Sequence, residues 1–323
     1  ENPGQGWANF LDSFLDVFAV AHTLGWIAKG LLFRDYWLLW TLSFSWEVVE
    51  VSFQTKLPNF KECWWDHYLL DVFGCNLLGM LIGMWVCRHY ANAEFNWMGV
   101  RKLPTTRQKV TRVLSQFTPF NWTNYSWGVL SSWKRCIEVI VMLFFFELTE
   151  LNCFILKHEM WLAPGHFLVI SRLVFLWLLS FPATREYYSY IDAPECRRMG
   201  SALWLMLCIG CTETMIGIKF ALQDPAMFAY PKGMGEAVPS ETEVKTAWAI
   251  AVTLFVMWFV LHFSLVQFRA RSRTVAWTLD ALLLASAAPL LYLAAVDFLD
   301  TWSHTLPAPP LPDPPKAQWL PWA

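Results

Sequence analysis

The sequence predicts an all-α, polytopic integral membrane protein with about eight transmembrane helices joined by short loops. Composition is the first indication: 56% of the 323 residues are hydrophobic and only 15% are charged, whereas about a quarter of the residues in a soluble domain are charged. The second is pattern, because apolar segments close to the ~20 residues that a helix needs to cross a bilayer recur along the chain. No basic run indicates a nucleic-acid partner, so we expect none.

Eight segments are apolar and long enough to be interpreted as spans. Between the third and the fourth lies KVTRVLSQF, which is too short and too polar to cross the membrane and predicts an amphipathic helix in the interface. The predicted spans are 14–33, 36–53, 67–87, 136–156, 166–184, 201–222, 246–268 and 276–297.

Three parts are expected along the chain: a membrane domain at 1–222 with the functional residues, further membrane helices at 223–300, and a Pro- and Trp-rich tail at 301–323. The composition of the tail favours a disordered or surface-lying end. The chain starts at Glu1 rather than at a methionine, so we expect a piece of a longer protein with further helices upstream.

The loops between the spans differ in charge, and this difference predicts the orientation of the helices. One alternate set of loops holds most of the Lys and Arg residues, including the segment from Arg88 to Arg135. Cytoplasmic loops carry the excess of positive charge in membrane proteins. The loop from Leu57 to Asp66 belongs to the other set, so we expect it on the non-cytoplasmic side.

Polar residues concentrate in and between the second and third spans. Acidic groups are costly inside a bilayer, so they persist there mainly where they bind an ion, relay protons or take part in chemistry. Ligands that are all oxygen atoms suit a hard cation such as Ca²⁺, Mg²⁺ or Mn²⁺. The residues concerned are Glu47, Glu50, Asn59, Glu62, Asp66, Asp71 and Asn76.

These groups are predicted at a similar depth. With a rise of ~1.5 Å per residue, His22 lies about 12 Å below the non-cytoplasmic surface in span one. Glu47 and Glu50 lie near the non-cytoplasmic end of span two, and they share a helix face because they are three residues apart. Polar residues of the third, fourth and fifth spans fall in the same leaflet. We therefore expect a polar cavity that opens to the non-cytoplasmic side.

Structural interpretations stay open for several of these residues. Glu47 and Glu50 could pair with Arg172 or Lys219, and His22 could be a hydrogen-bonded packing residue. The repeated spacing in Glu147-Leu-Thr-Glu150 indicates a second ligand set, a distant internal repeat or coincidence.

Several motifs resemble the base-exchange phosphatidylserine synthases of eukaryotes. The resemblance covers residues 14–222, and its longest and most specific part is LPNFKECWWDHYLLDVFGCN. After Cys-Asn that family usually has Gly-x-Gly, whereas this chain has Leu77-Leu78-Gly79. The other matching motifs are AHTLGW, WEVVE, QFTPFNW, ELTELNCFILKH and ATREYYSY.

The resemblance implies a calcium-dependent exchange in the endoplasmic reticulum membrane, in which L-serine replaces ethanolamine or choline in a phospholipid. The expected partners are phosphatidylethanolamine or phosphatidylcholine, L-serine, the membrane and a second copy of the chain as a homodimer. One phosphodiester replaces another, so no activated donor is needed. In agreement, the sequence has neither a phosphate-binding Gly-rich loop nor the D-G-x-x-A-R pattern of CDP-alcohol phosphatidyltransferases.

On this basis His22 is predicted as the general base that deprotonates the serine hydroxyl. Glu47, Glu50 and Asp71 are predicted to hold Ca²⁺, which would neutralise phosphate oxygens. Further ligands, supporting groups or substrate-binding groups are expected at Asn59, Glu62, Asp66, Asn76, Glu150 and Arg185.

Two other classes of protein use polar residues inside the membrane. A transporter of a cation or an amino acid would also use intramembrane carboxylates, but it needs access from both sides. A membrane acyltransferase would not need the acidic cluster. The concentration of polar groups in one leaflet favours the enzyme.

Overall fold

In the computed structural model, all regular secondary structure among the described residues is helical, which confirms the all-α class. The described residues are 17–57, 60, 66–90, 100–115, 125–228, 239–264 and 273–303. A π-helical segment, Asp66–Asn76, runs directly into α3. The longer helices are α1 Val17–Phe33, α2 Tyr36–Phe53, α3 Leu77–Tyr90, α4 Thr106–Ser115, α5 Trp133–Glu159, α6 Phe167–Asp192, α7 Ser201–Gln223, α8 Glu241–Ser264 and α9 Arg273–Ser303.

The helices make the chain a multi-pass membrane protein, as predicted. Within the described residues, each of the eight predicted spans overlaps a helix, and α4 forms where the amphipathic helix was expected. By length and hydropathy, six described segments can cross a membrane, and Ala19–Phe33 is a shorter apolar helix. The six segments are Tyr68–His89, Trp133–Glu159, Phe167–Asp192, Ser201–Gln223, Glu241–Ser264 and Arg273–Val296.

A tight turn connects α1 to α2. Arg34 adopts a left-handed backbone conformation with φ of 54°, which ends α1. Asp35 then caps α2, because its carboxylate accepts hydrogen bonds from the backbone N–H groups of Trp37 at 2.8 Å and Leu38 at 3.2 Å. The two helices that carry His22 and the first pair of acids are therefore neighbours.

Two glycines bring α3 against the backbone of α1. Gly79 and Gly83 are four residues apart, so they share one face of α3. A Cβ atom added to Gly79 would lie 2.5 Å from the Cβ of Trp26, and one added to Gly83 would lie 2.7 Å from the carbonyl oxygen of Ile27. Small residues with this spacing let membrane helices approach closely. The close packing places His22 beside the π-helical segment.

The C-terminal hairpin of α8 and α9 packs against the same region. Val51 of α2 is buried with Ala247 and Leu293. The indole N–H of Trp248 donates to Ser52 Oγ at 2.8 Å, and the hydroxyl of Tyr68 donates to the carbonyl oxygen of Ala294 at 3.0 Å. The hairpin therefore supports both elements that carry the predicted acids, α2 and the π-helical segment.

Candidate active site

His22 lies at the centre of a polar cluster formed by α1 and the π-helical segment. Its Nε2 atom is 2.7 Å from Asn76 Oδ1 and 3.9 Å from Asp71 Oδ1. The indole nitrogen of Trp26, one turn further along α1, is 3.1 Å from the same Nε2 atom. The His22 side chain is 32% exposed. The structure thus joins three predicted site residues, His22, Asp71 and Asn76.

The π-helical backbone explains why Asp71 and Asn76 both face the imidazole. In an α-helix, residues five apart lie about 140° apart around the axis and point in different directions. A π-helix forms its backbone hydrogen bonds between residues i and i+5, which brings such residues nearly above one another. The predicted span 67–87 agrees with the apolar segment Tyr68–His89, but the α-helical rise assumed for its first part is wrong, because Asp66–Asn76 is π-helical.

Asn76 is held on its other side by α2. Its amide nitrogen donates to Ser43 Oγ at 2.9 Å, and both residues are 0% exposed. A buried amide needs partners for its donor and its acceptor, and Asn76 finds them on two different helices. Ser43 was missed in the sequence, although it lies four residues before Glu47 and so on the same face of α2.

The first pair of predicted ligands is buried. Glu47 is 5% exposed and Glu50 is 7% exposed, both on α2. The indole N–H of Trp46 donates to Glu50 Oε1 at 2.7 Å. Carboxylates buried in a membrane domain are costly without compensating partners, so their position indicates a function or a strong structural role.

The acids of α5 contact α1 and α2. Glu150 pairs with Lys29, whose Nζ lies 3.0 Å from Oε1 and 2.9 Å from Oε2. The Lys29 ammonium also lies 4.1 Å from the centroid of the Trp26 ring. Ser45 donates to Glu147 Oε1 at 2.7 Å. The sequence alone does not indicate a role for Lys29, although it lies seven residues, or two turns, beyond His22 on the same face of α1.

Arg172 has a different partner from the one considered in the sequence. It forms a bidentate ion pair with Glu213 of α7, with Nε 2.6 Å from Oε1. Its Nη2 atom also donates to the carbonyl oxygen of Thr149 at 3.0 Å. The idea that Arg172 neutralises Glu47 and Glu50 is therefore wrong.

Arg185 lies apart from His22. It interacts electrostatically with Tyr125 and Arg112, and the ring of Tyr125 lies 5.7 Å from the guanidinium carbon of Arg34. Arg34 follows His22 by twelve residues, or about 18 Å of helix, so this contact between Tyr125 and Arg34 lies at the end of α1 away from His22. The cavity at Arg185 has a volume of about 250 Å³ and is lined by Arg112, Pro182, Arg185, Glu186, Ser189, Cys196, Arg198 and Gly200.

The predicted metal ligands have suitable chemistry, but the described side chains alone do not gather them. Carboxylate and carboxamide oxygens suit a hard cation such as Ca²⁺. Within the part of the chain that the structure describes, no three His, Cys, Asp or Glu side chains could hold an ion together. Asn59, Glu62 and the side chain of Asp66 lie outside the described residues. The metal set stays a prediction.

The cluster around His22 can transfer protons. A partly exposed imidazole can take a proton from a hydroxyl group and return it to a leaving alkoxide. Asp71 lies close enough to stabilise the imidazolium that would form in between. Asn76 and Trp26 restrict the orientation of the ring.

Comparisons with known proteins agree with the motifs. A family model described as phosphatidyl serine synthase matches residues 5–221. CDP-diacylglycerol–serine O-phosphatidyltransferase 1 of Arabidopsis thaliana is 39% identical over 221 residues, which are 68% of this chain and 52% of that protein. Phosphatidylserine synthase 2 of Homo sapiens is 35% identical over 278 residues, 86% of this chain and 55% of that protein. Phosphatidylserine synthase of Drosophila melanogaster is 41% identical over 206 residues, which are 64% of this chain and 41% of that protein. The chain spans about half the length of the curated relatives it matches.

Proposed function

The chain belongs to the phosphatidyl serine synthase family, and from this premise we propose that it makes phosphatidylserine by base exchange. In this reaction the hydroxyl oxygen of L-serine forms a bond with the phosphorus of phosphatidylethanolamine or phosphatidylcholine. The bond from phosphorus to the ethanolamine or choline oxygen breaks. The second phosphodiester replaces the first, so the exchange is close to thermoneutral and needs no nucleotide.

The observation that carries the proposal is the contact of His22 with Asp71 and Asn76 on a π-helical segment inside a membrane domain. His22 takes the proton of the serine hydroxyl as the new P–O bond forms, and it gives this proton to the departing amino alcohol. Asp71 stabilises the charged imidazole between the two steps. No net proton is consumed, because the proton taken from serine is the one that the amino alcohol receives.

We also propose Ca²⁺ as the cofactor. Glu47, Glu50 and Asp71 would hold it, with Asn59, Glu62 and Asp66 as further candidates. The bound ion would neutralise the non-bridging phosphate oxygens of the lipid. The support is chemical: two carboxylates are buried at 5% and 7% exposure on α2, and their oxygens match the preference of a hard cation.

The likeness to the plant relatives introduces CDP-diacylglycerol as a second candidate donor lipid, since the names of those proteins specify it. This chain lacks the D-G-x-x-A-R pattern of CDP-alcohol phosphatidyltransferases, which favours the base-exchange donors. As the cellular location we propose the endoplasmic reticulum membrane, as the resemblance implies. We propose that the His22 cluster opens to the lumen, because the Lys- and Arg-rich loops belong to the opposite, cytoplasmic ends of the helices.

The test is incorporation of labelled L-serine into lipid by the purified chain. Vesicles would contain phosphatidylethanolamine, phosphatidylcholine or CDP-diacylglycerol as the donor in separate reactions. We expect product with one or both of the first two, release of free ethanolamine or choline, loss of activity in chelator and recovery with Ca²⁺. Product from CDP-diacylglycerol alone would overturn base exchange, and serine that enters sealed vesicles without joining lipid would indicate a transporter.

Variants separate the base from the proposed ligands. His22→Ala should lose roughly 10²–10⁴-fold in rate, the contribution of a positioned base, with the Ca²⁺ requirement unchanged. Glu50→Gln should instead raise the Ca²⁺ concentration needed for activity. His89→Ala is the control, because His89 is exposed and bonds only the carbonyl oxygen of Trp85 in the described contacts. If His22→Ala shifts the Ca²⁺ dependence as Glu50→Gln does, His22 is a ligand or a support rather than a base.

A further inference from the structure

Two contacts compete for the same nitrogen of His22. In a neutral imidazole, Nε2 either carries a proton and donates, or carries a lone pair and accepts. Asn76 Oδ1 can only accept, and it lies 2.7 Å from Nε2. Trp26 Nε1 can only donate, and it lies 3.1 Å from the same atom. The carboxylate oxygen of Asp71, 3.9 Å from the same nitrogen, is a second acceptor there. The shorter contact and the carboxylate together favour a proton on Nε2 over the Trp26 hydrogen bond, provided that the Asn76 amide keeps its oxygen toward the ring.

Ser43 is the partner of that amide on the side away from the imidazole. The amide nitrogen of Asn76 lies 2.9 Å from Ser43 Oγ, which turns the amide oxygen toward the imidazole. Both side chains are fully buried, so water does not compete for the contact between Asn76 and Ser43. Because an unsatisfied buried amide is costly, rotating the amide requires the Ser43 hydroxyl to change roles at the same time.

We propose that Ser43 is a positioning residue that, through Asn76, keeps the proton on Nε2 of His22 and leaves the lone pair on Nδ1. This inference rests on the proposed function, in which Nδ1 is then the atom that takes the serine proton and later returns it to the departing amino alcohol. The Nε2 proton stays in its bond to Asn76 throughout. This arrangement assigns the Asn76 oxygen to the base rather than to a metal ion.

The tautomer can be observed without any activity. ¹⁵N NMR of the full chain, labelled at histidine and placed in lipid nanodiscs, distinguishes a protonated Nε2 from a protonated Nδ1. The signals of His22 are those lost in His22→Gln. We expect a single Nε2-protonated form in the wild-type chain and a mixture of both forms in Ser43→Ala. An Nδ1-protonated form in the wild type, or the same spectrum in Ser43→Ala, would overturn the assignment.

Kinetics test the consequence for catalysis. Ser43→Ala should lower kcat roughly 2- to 10-fold, the factor that corresponds to one net hydrogen bond, with the KM for serine unchanged. In an Asn76→Ala background the same substitution should have no further effect, because the two residues act through one contact. Additive losses, or a change in KM alone, would refute a positioning role.

Ser180→Ala is the matched control. Ser180 is also a buried helical serine, but its hydroxyl donates to the carbonyl oxygen of Trp177 on its own helix. We expect its kcat to equal that of the wild type, and an equal loss in both variants would indicate a general packing effect. If the wild-type chain makes no labelled phosphatidylserine, the proposed function fails, whereas the NMR spectra still decide the role of Ser43.

Discussion

The close approach of α1 and α3 predicts that a single methyl group can disable the site from a distance. In Gly79→Ala, the new Cβ atom would lie 2.5 Å from Trp26 Cβ and 2.8 Å from the carbonyl oxygen of Thr23. Ordinary contacts between carbon atoms are about 3.5–4.0 Å, so the helices must separate by about 1 Å. Neither opposing atom can rotate away, because one is a backbone oxygen and the other is fixed to the backbone.

This separation acts directly on the proton-transfer cluster. His22 lies on α1, and Asn76 lies three residues before Gly79. A shift of 1 Å would lengthen their 2.7 Å contact to about 3.7 Å, beyond the range of a hydrogen bond. A displacement of this size can lower the rate by roughly 10²-fold. We therefore expect Gly79→Ala to lose about this factor in kcat in the serine-incorporation assay.

Gly25→Ala provides the control on the opposing helix. A Cβ atom at Gly25 meets nothing within 4 Å among the described residues, and alanine favours a helix over glycine by about 1 kcal/mol. We expect wild-type activity and an equal or higher melting temperature in detergent. Full activity in Gly79→Ala would refute the packing argument, and an equal loss in Gly25→Ala would show that the site is sensitive to any change in this helix pair.

Two further predictions concern buried polar groups. Lys29→Met leaves the Glu150 carboxylate without its partner and should lower the free energy of unfolding by roughly 1–3 kcal/mol, less than for a fully buried pair, because the Glu150 side chain is 33% exposed. Lys29→Met combined with Glu150→Gln should recover most of this loss in detergent melts, and a still less stable double variant would contradict the pairing. Burial raises the pKa of Tyr125 to about 12, above the ~10 of an unfolded chain. The unfolded state therefore loses its proton first, and stability should fall by up to roughly 3 kcal/mol between about pH 10 and pH 12. Tyr125→Phe should remove this alkaline loss in denaturation curves, and an unchanged pH dependence would show that another group is responsible.

Composition and the recurrence of apolar segments were enough to predict the fold class and the positions of the helices. Lipid offers no hydrogen-bond partners to backbone N–H and C=O groups, so few secondary structures can cross a membrane. A helix can, because its backbone groups bond to one another. The motifs around His22 and Trp46–Asn76 predicted the family, because a long match in the right order arises rarely by chance. The acids were also predictable as functional candidates, since an apolar segment with carboxylates is costly to maintain.

Other features of the site depend on contacts between distant parts of the chain. Asp71 and Asn76 face one imidazole only because their segment is π-helical, whereas the sequence was interpreted with α-helical spacing. Arg172 pairs with Glu213 rather than with the acids of α2, because pairing follows the packing of α6 on α7. Ser43 and Lys29 gain their roles from Asn76 and Glu150, residues 33 and 121 positions away. Local sequence determines whether a segment forms a helix, but the packing of helix faces decides which side chains meet. At Gly79 and Gly83, for example, the absence of a Cβ atom sets the distance between α1 and α3.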